Sequence, residues 1–189
     1  MRKLFAFGLA AATTVLIGSA TFAQGSADTF RDRADDGAKV HVSGFVCPAR
    51  IGPFERDAVG EYDPEHNEDF CAYGARDGVY GTITLNPLNG GYDPKAAFAD
   101  DFSEQDATGG KRLFEKQVRL QGSQLSIYTR TYRTARAEAL EYRIVFAGAA
   151  VKNWVVQTTV EYADPRDAAA EVEFLNAVYA AAEKQIGAP

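Results

Sequence analysis

Residues 125–162 read LSIYTRTYRTARAEALEYRIVFAGAAVKNWVVQTTVEY, three strand signatures in succession. In the first, Leu125, Ile127, Thr129 and Thr131 alternate with Ser126, Tyr128, Arg130 and Tyr132. Leu140, Tyr142, Ile144 and Phe146 then share one face opposite Glu141, Arg143 and Val145. In the third, Trp154, Val156, Val160 and Tyr162 oppose Asn153, Val155, Gln157 and Glu161. Extended backbone turns successive side chains to opposite faces, so this alternation predicts antiparallel strands with one face packed and one in water.

Downstream lies the clearest helix. Asp164 is the expected N-cap, Pro165 the first helical residue, and Asp167 and Glu171 suit the positive end of the helix dipole. Val172, Leu175, Val178, Tyr179, Ala182 and Ile186 step by three and four, and Lys184 precedes the stop at Gly187. Upstream, Val40, Val42 and Val46 alternate with His41, Ser43 and Phe45, and Phe54 to Tyr62 reads as extended. Phe70–Tyr73 and Val79–Leu85 flank Arg76-Asp77-Gly78, a hairpin signature that places Cys71 on the first arm. Pro94 opens a helix to about Asp106, with Phe98 and Phe102 on one face, closed by Thr108-Gly109-Gly110. Residues 111–120 fit neither period.

The order is strands, helix, strands, helix. It predicts a single α+β domain over residues 39–187, a mostly antiparallel β-sheet with a central helix and a C-terminal helix packed on it. In this order of elements the chain resembles the Mog1/PsbP-like proteins, whose exported bacterial members are often functionally obscure. The resemblance implies the architecture and carries over no site residue.

Export is legible at the N-terminus. Met1-Arg2-Lys3 precedes an apolar stretch from Leu4 to about Ile17, and Thr21-Phe22-Ala23 has small residues at the −3 and −1 positions. These are the parts of a cleavable signal peptide, residues 1–23, cut after Ala23 with Ala20 as the second choice. The apolar run, about 14 residues, falls short of the ~20 a spanning helix needs, so no membrane anchor is expected. Residues 24–38 are small and polar and read as a flexible leader. Cleavage removes Arg2 and Lys3 and no acidic residue, moving the net charge from −6 to −8. That balance argues against nucleic acid as a partner, and the destination is periplasmic or extracellular. Cys47 and Cys71, the two cysteines, are then expected as one disulfide.

Motifs for catalysis are missing. Neither Gly-x-Ser-x-Gly nor Ser-x-x-Lys occurs. His41 and Ser43 point the same way on one strand, but no carboxylate is marked as their third member. Asp63, Glu65, Asn67 and Asp69 alternate in an acidic loop, yet Glu68 and Gly74 stand where a calcium loop needs Gly and Glu. No His-Glu-x-x-His is present, and no cofactor is expected.

Charge is unevenly spread. Residues 55–106 carry 13 acidic and three basic side chains, whereas residues 111–143 carry eight basic and three acidic ones. The plainest expectation is mutual neutralisation of the two halves. The sharper one concerns the face bearing Tyr128, Arg130 and Tyr132, read as wet: arginine between tyrosines suits an anionic envelope component or an acidic protein partner. Three roles stay open: a non-enzymatic binding or accessory protein, an inhibitor acting through loop 48–69, and an enzyme with a site assembled from scattered residues.

Overall fold

The computed structural model describes residues 29–60, 69–75, 79–135 and 141–187. The signal read in residues 1–23, loop residues 63–68 and the turn at 76–78 lie outside them. Three short strands come first, β1 (Phe30–Asp32), β2 (Lys39–His41) and β3 (Val46–Cys47), forming an antiparallel sheet in that order. Strand β1 lies within the stretch 24–38 read as a leader. Its three residues are too few to show a period, but Phe30 packs on the His41 ring at 5.1 Å and the Lys39 ammonium lies 2.6 Å from the Asp32 carboxylate.

The main sheet is built from two antiparallel meanders. β4 (Arg50–Ile51), β5 (Phe54–Gly60), β6 (Asp69–Gly74) and β7 (Tyr80–Pro87) form the first. The chain then crosses through α1 (Pro94–Ala97) and α2 (Ala99–Ala107) to the far edge. There β8 (Lys111–Val118), β9 (Ile127–Ala135), β10 (Glu141–Val151) and β11 (Trp154–Ala163) step back until β11 pairs with β7. The resulting order is β4-β5-β6-β7-β11-β10-β9-β8, and α3 (Ala168–Gln185) follows.

Both faces of this sheet are covered where the alternation predicted one wet face. Ile83, Leu85, Val156 and Val160 pack on one side against Phe174, Leu175, Val178 and Tyr179 of α3. On the other, Tyr128, Tyr132, Ile144 and Phe146 pack against Phe98 and Phe102 of the α1–α2 crossover. Strand β10 therefore buries consecutive residues from Ile144 to Ala149. The crossover explains it: a connection that passes over three strands must lie on a face, and its two phenylalanines need something to pack on.

Two further boundaries differ. The central helix is broken at Phe98, which enters the core between α1 and α2. The last helix begins three residues after Pro165, with Asp167 as N-cap. Asp164 has other work, since its N–H donates to Glu141 O at 3.0 Å and its carboxylate accepts from Arg143 Nη2 at 2.7 Å. It continues the β10–β11 pairing rather than capping the helix.

Cys47 on β3 and Cys71 on β6 form a disulfide that joins the small sheet to the large one through the core. Reducing it should lower unfolding stability by about 2–5 kcal/mol, the range for small exported domains. Urea denaturation with and without reductant measures this, and superimposable curves would contradict it.

Candidate functional site

The structure places Tyr128, Arg130 and Tyr132 on one face of β9, as the alternation required, but that face is dry. They are 4%, 8% and 1% exposed. Arg130 is held on several sides, with its buried Nε unpartnered among the described residues: Nη2 donates to Glu115 at 2.8 Å, Nη1 to the Tyr132 hydroxyl at 3.5 Å, and its guanidinium carbon lies 3.7 Å from the centre of the Phe102 ring. Glu115 also receives the Lys95 ammonium at 2.6 Å, and these two cations hold its carboxyl below the usual range. An arginine so paired and stacked stabilises the crossover and is not an open fork for an anion. The ion pairs of Arg112, Arg130, Arg133 and Arg143 run to Glu115, Glu141 and Asp164, carboxylates of their own neighbourhood rather than of the acidic stretch 55–106.

His41 and Ser43 do meet a carboxylate. Asp69, from the start of β6, lies 2.9 Å from His41 Nε2, and Ser43 Oγ lies 2.7 Å from Nδ1. The sequence marked Asp69 only as a member of the acidic loop and not as a partner of His41, 28 residues away. The trio has the membership of a hydrolytic triad without its freedom. Nδ1 also accepts the Ser43 backbone N–H at 3.1 Å, so Nε2 carries the proton and gives it to Asp69. Ser43 Oγ in turn accepts from the Phe45 N–H at 3.2 Å, and the hydroxyl is buried away from any substrate. Gly187 N–H donates to Ser43 O at 3.1 Å, and Gly44, at φ +91°, packs so closely on Gln185 O that a Cβ would lie 2.8 Å from it. The network is buried and closes the β2–β3 turn against the end of α3. Burial holds the His41 imidazole below its ordinary pKa despite Asp69, so the ring is carried neutral.

An open feature lies on the α3 face, beyond the end of the helix's cover. A cleft of about 460 Å³ lies between the β8–β11 meander and the first turns of α3. Its sheet side carries Lys116 and Val118 of β8, Thr129 and Thr131 of β9, Val145 of β10 and Tyr162 of β11. Its helix side carries Glu171, Val172 and Leu175. The β8–β9 connection closes one end, fastened to α3 by Gln121 N–H to Asn176 Oδ1 at 3.0 Å and Gln124 N–H to Glu183 Oε2 at 2.8 Å. Phe114 and Val172, 58% and 51% exposed, border it from opposite sides. Two large apolar side chains left in water thus stand at the two lips of a concave surface.

Its polar groups are few and placed. Arg143 is paired through Nη2 with two carboxylates, Asp164 at 2.7 Å and Glu141 at 2.9 Å. Lys116 and Arg119 have no carboxylate within ion-pair distance among the described residues. Burial pushes the Glu171 carboxyl up to about 7, with Lys116 opposing the rise. The sequence reading missed this cleft because strand β8 had no clear period: a bulge between Arg112 and Phe114 shifts its register, and its Phe114 faces out.

Glu171 yields a test of this description. Its folded pKa lies above the unfolded value, so its contribution to stability is present below about pH 4.5 and lost as pH rises through about 7. Glu171→Gln should therefore raise the urea midpoint over wild type at pH 8.5 and leave little difference at pH 5; an equal shift at both would contradict the burial of this carboxyl. No protein-family model matches the chain, and no curated protein matches it.

Proposed function

We propose that the protein is an exported binding or accessory protein that catalyses no reaction and holds a small, partly apolar ligand in the cleft between the β8–β11 meander and α3. The observation that carries this reading is the cleft itself, an apolar-lipped concavity of about 460 Å³ within the range of small-molecule sites. The signal sequence supports work outside the cytoplasm, and the Cys47–Cys71 disulfide suits an oxidising compartment. Among the described residues no helix is long and apolar enough to cross a membrane. The Mog1/PsbP-like likeness in element order belongs to the same proposal. An enzyme has less support. The Ser43–His41–Asp69 trio is locked inside the fold, and the tightest titratable contact bordering the cleft is an ion pair, Arg143 with Asp164, rather than a hydroxyl held by a base. The inhibitor reading has less support too, because residues 50–51 and 54–60 of its loop are strands of the main sheet.

Nile red, a neutral dye that brightens in apolar sites, reports on the cleft directly. It should bind saturably to the wild-type protein. Thr131→Trp, which fills the cleft from β9, and Val172→Asp, which charges the exposed lip, should each weaken it about tenfold or more. Val42→Asp, at an exposed apolar residue outside the cleft, should leave it unchanged. Absence of saturable binding, or equal binding by all four proteins, would refute the proposal.

A further inference from the structure

We infer that the ligand is a small organic acid with an apolar body, its acid group held by Lys116 and Arg119 and its body lying along Val118, Leu175 and the lips at Phe114 and Val172. The inference rests on the cleft being a ligand site and adds the chemistry of what enters it. Five charged side chains border the cleft: Lys116, Arg119, Arg143, Asp164 and Glu171. Arg143 and Asp164 neutralise each other at 2.7 Å, with Glu141 also on Arg143. Two cations then face one carboxyl, so the cleft is positive in a protein whose overall charge is negative.

The cations are on one wall. Lys116 projects from β8 on the same face as Phe114 and Val118, and Arg119 follows the strand's end. The helix wall opposite offers Val172 and Leu175. Lys116 has an aromatic neighbour, its ammonium 6.0 Å from the centre of the Phe114 ring, and no anion of the fold claims it among the described residues. An entering carboxylate, sulfonate or phosphate monoester would gain charge-assisted hydrogen bonds from both. A cationic head of equal size would instead add a third positive charge to the same wall, and a neutral head would leave the two cations hydrated. The expected order of affinity is acid, then neutral, then cation. The occupant is a free single molecule and not a bilayer, because the apolar lining is recessed beneath two lips.

Displacement of Nile red by three probes that share a ten-carbon chain tests this: decanoate, decanol and decyltrimethylammonium. Decanoate should displace the dye at about a tenth of the decanol concentration or less, and decyltrimethylammonium least well. Lys116→Gln/Arg119→Gln should weaken decanoate about tenfold and change decanol less than twofold. Lys184→Gln, an exposed cation of α3 outside the cleft, should change neither. Equal displacement by the three probes, or an unchanged decanoate affinity in the double variant, overturns the inference while Nile red binding leaves the cleft itself standing. Co-sedimentation with phosphatidylglycerol vesicles without displacement by decanoate also overturns it, in favour of a membrane surface. Failure of Nile red to bind the wild type defeats the underlying site instead.

Discussion

Helix α3 has 18 residues, about 27 Å of length at 1.5 Å per residue, and a width of roughly 10 Å. The sheet beneath it has eight strands, which at about 4.8 Å apart span some 34 Å. One helix covers only a band of such a surface, and every apolar side chain outside the band needs another cover or stays in water. At the β4 side the cover is the small sheet, which sends Phe45 and Cys47 into the same core as Phe54, Phe174 and Val178. At the β8 side it is the β8–β9 connection alone. The cleft is what remains uncovered.

This division of labour gives the buried polar networks their meaning. The small sheet must stay seated for its end of the core to stay dry. The disulfide and the His41–Asp69 bond are two independent ties that hold it there, one covalent and one a buried hydrogen bond backed by Thr29 Oγ1 on the second carboxylate oxygen at 3.0 Å. Phe30 and Trp154 flank the imidazole at 5.1 and 4.9 Å, so the ring packs as an aromatic as well as bonding as a base. On the other face the crossover is seated by Phe98 and Phe102, and Arg130 is tolerated beneath it because Glu115 and the Phe102 ring both receive its charge. Constellations that resemble chemistry here close the fold, and at the cleft Lys116 and Arg119 are cations with no carboxylate at ion-pair distance among the described residues.

The strands of 125–162 were legible because each is long and alternates, and the pairing of Cys47 with Cys71 followed from compartment and number. The exposure of their faces was not legible. Period two says that Thr129 and Arg130 point oppositely, but which side is wet depends on where the α1–α2 crossover lies, a tertiary fact. Strand β1 was hidden by its length, and β8 by its bulge and by an edge position that leaves Phe114 in water. Three cations from the basic excess of residues 111–143, Lys116, Arg119 and Arg143, border the cleft, on the opposite face from the one first read as open. Asp69 could not be assigned to His41, because the partnership depends on how the small sheet docks on β6.

Amide chemical-shift mapping of the protein during titration with decanoate tests most directly whether the uncovered end of the α3 face is the working surface. The shifts should concentrate at Lys116 to Arg119, Thr129, Thr131, Val145 and Glu171 to Leu175, and saturate together. Shifts centred instead on Phe98, Phe102 and Tyr132 of the opposite face, or scattered with no common saturation, would contradict the account.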